Sequence, residues 1–235
     1  PTAPSPGRRP EDCGRNSGTP IDLAAAVFRC LPASAKDEAM TDTTFLPDGY
    51  HALAPGKLAN IATFLEVTER PDRPRRPAPA GYVIEPVDRW DTDAFLDLYR
   101  EIGWEWLWSS RLLIGREKLE AKLALPHLRS WCPVKDGRRM GIVEMDLSKP
   151  RETEISFFGL VPDAVGGGVG GWLMQEAIDL AFARPGVKRL WLHTCNFDSP
   201  QALPFYMHMG FVPYARAVEV HDDVRLLGQL GESAG

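Results

Sequence analysis

The sequence predicts an α/β fold, and three stretches predict it. The first is a short apolar run at 155–161, ended by Pro162, then the glycines Gly166, Gly167, Gly168, Gly170 and Gly171, then Leu173, Ala177, Leu180 and Ala181 at helical spacing. It reads as a buried central strand, a glycine loop and a helix with one face on the sheet. The second is another strand at 187–194, followed by a short helical stretch that opens near Ser199-Pro200 and closes on Met209-Gly210-Phe211. The third is a pair of runs, 128–134 and 140–147, around the turn Lys135-Asp136-Gly137-Arg138, which reads as a hairpin.

Taken in order, the chain has 235 residues, 44% of them hydrophobic, enough for one substantial core and suited to one domain with extensions. A net charge of -5 argues against a nucleic-acid footprint and leaves a cationic substrate open. Cys13, Cys30, Cys132 and Cys195 fall in no metal or disulfide spacing, so no metal is expected and a reduced, cytoplasmic compartment fits. No apolar run approaches the roughly 18 residues of a membrane span, so no membrane partner is expected. Residues 1–39 have the composition of turns and disorder. A signal peptide ending near Ala33-Ser34-Ala35 is disfavoured, because Asp22 and Arg29 interrupt its apolar segment. The expected functional start is Met40, with a dispensable leader before it.

Residues 40–80 form an amino-terminal extension. Leu58, Ile61, Phe64 and Leu65 recur at helical spacing after Pro55-Gly56 and predict one docked amphipathic helix, followed by a stiff, extended, solvated linker at 71–80. The domain then opens at 81 with a strand at 82–87. Asp91 caps the next helix, whose buried stripe is Phe95, Leu98, Tyr99 and Ile102. Beyond Gly103, Glu105 with Trp106 and Trp108 has the charge and aromatic faces to hold a cation, and Arg111 has the fork to hold a carboxylate. Equally, the tryptophans would anchor this segment to the core. A second helix is expected at 116–125, stopped by Pro126, and a final pair of strands near 211–221. The domain ends at 222, before a tail at 223–235.

Glycines without Cβ atoms let a ligand approach backbone, and the free N–H groups of the following helical turn make an anion site, most often for phosphate. NAD is disfavoured, because a segment containing Pro162 separates strand from glycines and the next strand ends in His193 and Thr194 rather than an acid. A nucleotide-triphosphate loop would need a lysine that 169–172 lacks.

The two strand–helix units together resemble the cofactor motifs of the GNAT superfamily of acyl-CoA-dependent N-acetyltransferases. The glycine loop matches the first motif, and Phe205, Tyr206, Gly210 and Phe211 match the Phe-Tyr-x-x-x-Gly-Phe ending of the second. The resemblance covers roughly residues 82–221. It implies the GNAT fold, with a mixed, mostly antiparallel sheet flanked by helices and strands splayed at the acyl-CoA site. It implies transfer of an acetyl group from acetyl-CoA to an amine of a small molecule, peptide or protein. Acetyl-CoA would lie against the backbone of Phe158, Gly159 and Leu160, the loop from Val165 through Val169 to Gly171, and Asn196. The segment with Trp106, Trp108 and Arg111 would wall the acceptor site, with Glu144 nearby.

The implied chemistry makes physical sense. Deprotonating an amine of pKa near 10.4 at pH 7 costs about 4.6 kcal/mol, so a base is needed. Glu154 stands where several members of the superfamily place theirs, with Glu144 and Asp146 as alternatives; burial would have to raise its pKa. Tyr206 matches the usual general acid, and giving its proton to a departing thiolate is uphill by only about 2 kcal/mol. Ser199 is primarily a helix cap. Two residues depart from the pattern. Val165 stands where the superfamily has Arg or Gln bonding the pyrophosphate, a loss of about 1.5–3 kcal/mol that calls for weaker binding or a basic residue elsewhere. Pro204 removes a donor inside the second short helix and should bend it. A non-catalytic acyl-CoA-binding module is therefore the alternative function, and a homodimer stays open.

Overall fold

A computed structural model describes residues 45–227, all within one compact unit. The leader at 1–39, the expected start at Met40, Cys13, Cys30 and the end of the tail lie outside the described residues. Eight strands share one sheet: β1 (Lys57–Val67), β2 (Tyr82–Val87), β3 (Leu128–Lys135), β4 (Arg138–Arg139), β5 (Gly141–Asp146), β6 (Glu152–Leu160), β7 (Arg189–Cys195) and β8 (Val212–Asp222). The order is β2-β3-β5-β6-β7-β1-β8, with β4 paired to β3. Only β6 and β7 run parallel; the other pairings are antiparallel. The helices are α1 (Thr92–Gly103), α2 (Ser110–Leu113), α3 (Arg116–Leu123), α4 (Val169–Phe182) and α5 (Ala202–His208). None of the described helices is long and apolar enough to cross a membrane.

Local chemistry explains most of these elements. Asp91 caps α1 by accepting the Ala94 N–H at 2.9 Å, and the predicted stripe of Phe95, Leu98, Tyr99 and Ile102 is buried. Asp136 and Gly137 both take positive φ, 50° and 76°, the two-residue turn whose twist suits a hairpin. The apolar face of α4, with Leu173, Met174, Ala177 and Ala181, is fully buried on the sheet. Each large side chain on such a face contributes about 1.5–3 kcal/mol by leaving water.

The amino-terminal extension differs from expectation. Residues 57–67 are a strand, β1, inserted between β7 and β8, and the sheet therefore begins well before residue 81. The helical spacing of Leu58, Ile61 and Leu65 is a coincidence produced by a bulge. Asn60, Ala62 and Phe64 are buried at period two; the register against β8 then shifts between Phe64 and Leu65, and burial resumes at Leu65 and Val67. One irregularity changes the phase of the alternation and hides the strand. Ile61, expected inside, is 45% exposed. The same insertion accounts for the expected pair at 211–221: it is one long strand, β8, whose partner is β1.

Arg189 ties the three central strands together at one end of the sheet. Its Nε lies 2.6 Å from Glu66 Oε2 on β1, and its Nη1 lies 2.9 Å from Glu152 Oε2 on β6. The buried guanidinium also covers the rings of Trp191 and Tyr214, at 5.5 and 4.8 Å. Because β1 is a central strand, Leu65→Ala should cost about 2–5 kcal/mol in urea denaturation and Ile61→Ala less than about 1 kcal/mol. Equal losses at the two positions would contradict this placement of β1.

Candidate active site

A cleft opens where β6 and β7 part. Their pairing runs through Glu152–Arg189, Thr153–Leu190 and Glu154–Trp191 and then stops, although β6 continues to Leu160 and β7 to Cys195. On its other side β6 stays paired to β5, but the register shifts between Glu144 and Met145, leaving Ser156 as an extra residue. Such a bulge bends its strand and increases twist. The resulting space of about 370 Å³ takes its floor from Ser156, Phe157 and Phe158 on β6 and Leu192, His193 and Cys195 on β7. Past Glu154, every second residue of β6 turns its N–H and C=O toward β7 with no strand to meet them. That is an open edge able to pair with an extended, amide-bearing ligand.

The glycine loop lies between the free end of β6 at Leu160 and the start of α4 at Val169. Gly166, Gly167 and Gly168 have φ of 97°, 56° and 80°, and a Cβ on any of them would meet nothing within 4 Å. The loop is thus a bare backbone cradle, and the first turn of α4 adds N–H groups without intrahelical partners. This fits a phosphate-bearing cofactor. Val165 is 72% exposed and adds no polar group. A Cβ on Gly170 would touch Leu160 and Phe205 at 3.7–3.8 Å, so the loop lies directly against the second motif.

The opposite wall is the segment after α1. Trp106, Trp108 and Ser110 line the cleft. Trp108 also packs on Tyr99 and Phe157, at 5.4 and 5.3 Å between ring centroids, and its indole N–H donates to Asp198 at 3.3 Å. It is therefore both wall and anchor. Arg111 and Glu144 do not reach the cleft. They bond each other beneath it, with Glu144 fully buried and Arg111 nearly so, and the guanidinium lies 4.8 Å from the centre of the Phe157 ring. The carboxylate that Arg111 holds is the chain's own. Burial raises the Glu144 pKa, against the opposing pull of Arg111.

Tyr206 and Asp198 complete the floor. Tyr206, on α5, is buried against Phe158, Phe205 and Phe211 and faces the cleft. Burial, and then the charge of Asp198, pushes its hydroxyl above the ordinary tyrosine range, so it keeps a proton through neutral pH. Asp198 accepts from Thr194 Oγ1 at 2.7 Å and from the Cys195 N–H at 2.9 Å as well as from Trp108, joining the segment after α1 to the end of β7. Burial, and then the Asp198 charge, likewise raises the Cys195 thiol.

Other expected residues take different places. Glu154 is the last residue of β6 paired to β7 and lies outside the residues lining the cleft. The side-chain oxygen of Asn196 accepts the Ile61 N–H at 2.6 Å, fastening β1 to β7. Gly159 is required by packing: a Cβ there would come within 2.3 Å of Ile102 and 3.0 Å of Trp108. Ser199 precedes α5 and accepts the Gln201 N–H at 3.3 Å, forming a turn into the helix rather than capping it. Pro204 falls in the first turn of α5, where its missing N–H has no intrahelical acceptor, and it is accommodated without a break. Asn60, Asp198, Glu219, His221 and Asp222 line the cleft without having been expected there. Of these only Asp198, in the segment between strand and helix, carried a sequence signal. No lining residue is Lys or Arg. Among the described residues, no cluster of His, Cys, Asp and Glu is placed to hold a metal.

A family model described as acetyltransferase (GNAT) family matches residues 90–211, more than half of the chain. No curated protein matches the chain. Among solved structures, a GCN5-related N-acetyltransferase from Sphaerobacter thermophilus aligns with a TM-score of 0.53 and 15% identity, over 70% of this chain and 52% of that one. A tandem GNAT protein from the clavulanic acid biosynthesis pathway gives 0.52 and 14%, over 69% and 53%. A GNAT-family protein from Novosphingobium aromaticivorans gives 0.50 and 17%, over 74% and 70%. At these identities the likeness shows the fold, and the chain spans about half to seven-tenths of each of these structures.

The buried pair generates a stability test. Arg111→Met alone should destabilise by about 3–5 kcal/mol by stranding the Glu144 carboxylate, and adding Glu144→Leu should recover most of that loss in the same urea titration. Additive losses in the double variant would show that the two residues do not act as a pair.

Proposed function

We propose that this chain, which belongs to the acetyltransferase (GNAT) family, transfers an acetyl group from acetyl-CoA to a primary amine of a small molecule, peptide or protein by direct attack. The observation that carries the proposal is the cleft between the parted strands, with aromatic side chains of the segment after α1 along one wall, a protonated Tyr206 on its floor and a glycine cradle following the free end of β6. The co-substrate would bring an activated thioester and a phosphate-bearing handle. Gly166 to Gly171 would hold the phosphates through backbone N–H groups, and the open edge of β6 beside Phe158 and Leu160 would hold the amide arm.

Each remaining step falls to a residue of the cleft. Asp198 and Glu219, with no Lys or Arg among the lining residues, favour a cationic acceptor. Trp106 and Trp108 present aromatic faces to the same ligand. His193 lies on β7 two residues beyond the last paired position and lines the cleft, so it is better placed than Glu154 to take the amine proton, directly or through one water. Tyr206 gives its proton to the departing thiolate. Asp198, already accepting three hydrogen bonds, orients Trp108 and the end of β7 rather than serving as base.

The experiment is acetyl-CoA binding by calorimetry, followed by thiol release against a panel of diamines, aminoglycosides and peptides. Amine-dependent release is expected. Tyr206→Phe should lower kcat about 100-fold with acetyl-CoA affinity unchanged, and an unaltered rate would remove the acid role. His193→Gln should lower kcat about 100-fold while Glu154→Gln stays within about threefold; the reverse order would return the base role to Glu154. A second reading, a non-catalytic acyl-CoA-binding module, is favoured only by the exposed Val165 and would be adopted if binding occurs without release from any amine.

A further inference from the structure

We infer that Arg76, in the proline-rich segment ahead of β2, supplies the phosphate-binding side chain that Val165 lacks. The inference rests on the acyl-CoA reading above and assigns that site a residue from outside both glycine-loop and helix motifs.

The segment is not a solvated linker. It lies across the outer face of α4 and the end of α5, held at several points. Arg70 Nε is 2.7 Å from Asp179 Oδ1, and Arg75 Nη2 is 2.9 Å from Glu176 Oε1. Gln175 clasps the backbone from both sides: its Oε1 accepts the Arg76 N–H at 2.6 Å and its Nε2 donates to the Pro74 carbonyl at 3.0 Å. Arg73 donates to the His208 carbonyl at the end of α5, and Pro71 packs on Gly210, its Cγ 3.1 Å from where a Cβ would stand. Three of the four arginines at 70–76 thus spend their guanidinium groups on fastening the segment.

The fourth is placed differently. The Arg76 guanidinium makes no ion pair or hydrogen bond among the described residues, and it stands over the first turn of α4. Its Nη1, Cζ and Nε lie 3.1, 3.3 and 3.5 Å from the position a Gly171 Cβ would occupy. Glycine at 171 is what lets the guanidinium come so close; even a methyl group there would press against it. The amino-terminal end of a helix carries a partial positive charge, so an unpaired guanidinium beside it is repelled. An anion lying between them reverses the sign of that interaction. The open cradle of Gly166 to Gly168 leads directly into that turn, and a guanidinium fork matches two phosphate oxygens at once. The side chain expected at 165 is therefore replaced in space by one that arrives from about ninety residues upstream, carried by a segment whose other arginines lock it in position.

The test uses the full chain, with acetyl-CoA titrated by calorimetry into the parent and into Arg76→Ala, Arg76→Lys and, as a control on the strap, Arg75→Ala. Arg76→Ala should weaken acetyl-CoA binding about tenfold or more, the scale of losing a hydrogen bond to a charged group. The lysine variant should recover part of it, and Arg75→Ala should stay within about threefold. Thermal melts supply a second readout: ligand-free Arg76→Ala should melt with the parent, while the upward shift produced by acetyl-CoA should shrink. Equal affinity in parent and Arg76→Ala would overturn the assignment. So would a loss matched by Arg75→Ala or accompanied by a lower ligand-free melting temperature, because either would mean that the strap was merely loosened. A parent chain that binds no acetyl-CoA would instead overturn the acyl-CoA reading on which the inference rests.

Discussion

The short parallel register between β6 and β7 is the constraint from which the candidate site follows. Three residue pairs join the strands, and beyond Glu154 and Trp191 nothing does. A gap inside a sheet exposes backbone donors and acceptors on both sides, and it persists only if the strands are held at the other end and supported from outside. Arg189 does the first by binding Glu152 and Glu66, which fastens β6 to β7 and β7 to β1. The β5–β6 ladder and the long β1–β8 pairing do the second. The bulge at Ser156 gives β6 the bend it needs to leave its neighbour.

Two polar contacts then fix the segment after α1 relative to the gap. Arg111 and Glu144 draw the segment after α1 down onto β5, and Asp198 binds Trp108 to the end of β7. The Arg111–Glu144 pair sits where burial makes an unpaired partner costly, and the part-buried Asp198 contact adds a second point of attachment for the segment. Gly159 belongs to the same arrangement, since Ile102 and Trp108 fill the space where its side chain would be. The site is thus held from β5, β6 and β7 at once.

Local patterns were legible wherever a residue's role depends on its neighbours in the chain. The cap at Asp91, the buried stripe of α1, the Asp136-Gly137 turn and the glycine loop all belong to this class. Roles set by partners distant in sequence were not legible. Arg111 looked ready for a substrate carboxylate because Glu144 is 33 residues away, and Asn196 looked ready for a ligand because Ile61 is 135 residues away. β1 was misread because one bulge changed its phase and because nothing in a strand's own sequence names its neighbours in the sheet.

The sequence by itself therefore determined the α/β class, the two strand–helix units and the glycine loop, since turn chemistry, capping and periodicity act over a few residues. Only the tertiary structure decided that residues 57–67 complete the sheet, that Glu144 is spent on Arg111, that Asn60 and Asp198 join the cleft, and that Arg76 comes to rest over Gly171. The physical reason is the same in each case. Burial and charge pairing depend on distances between side chains, and the chain sets those distances only after β6 and β7 have paired for three residues and parted.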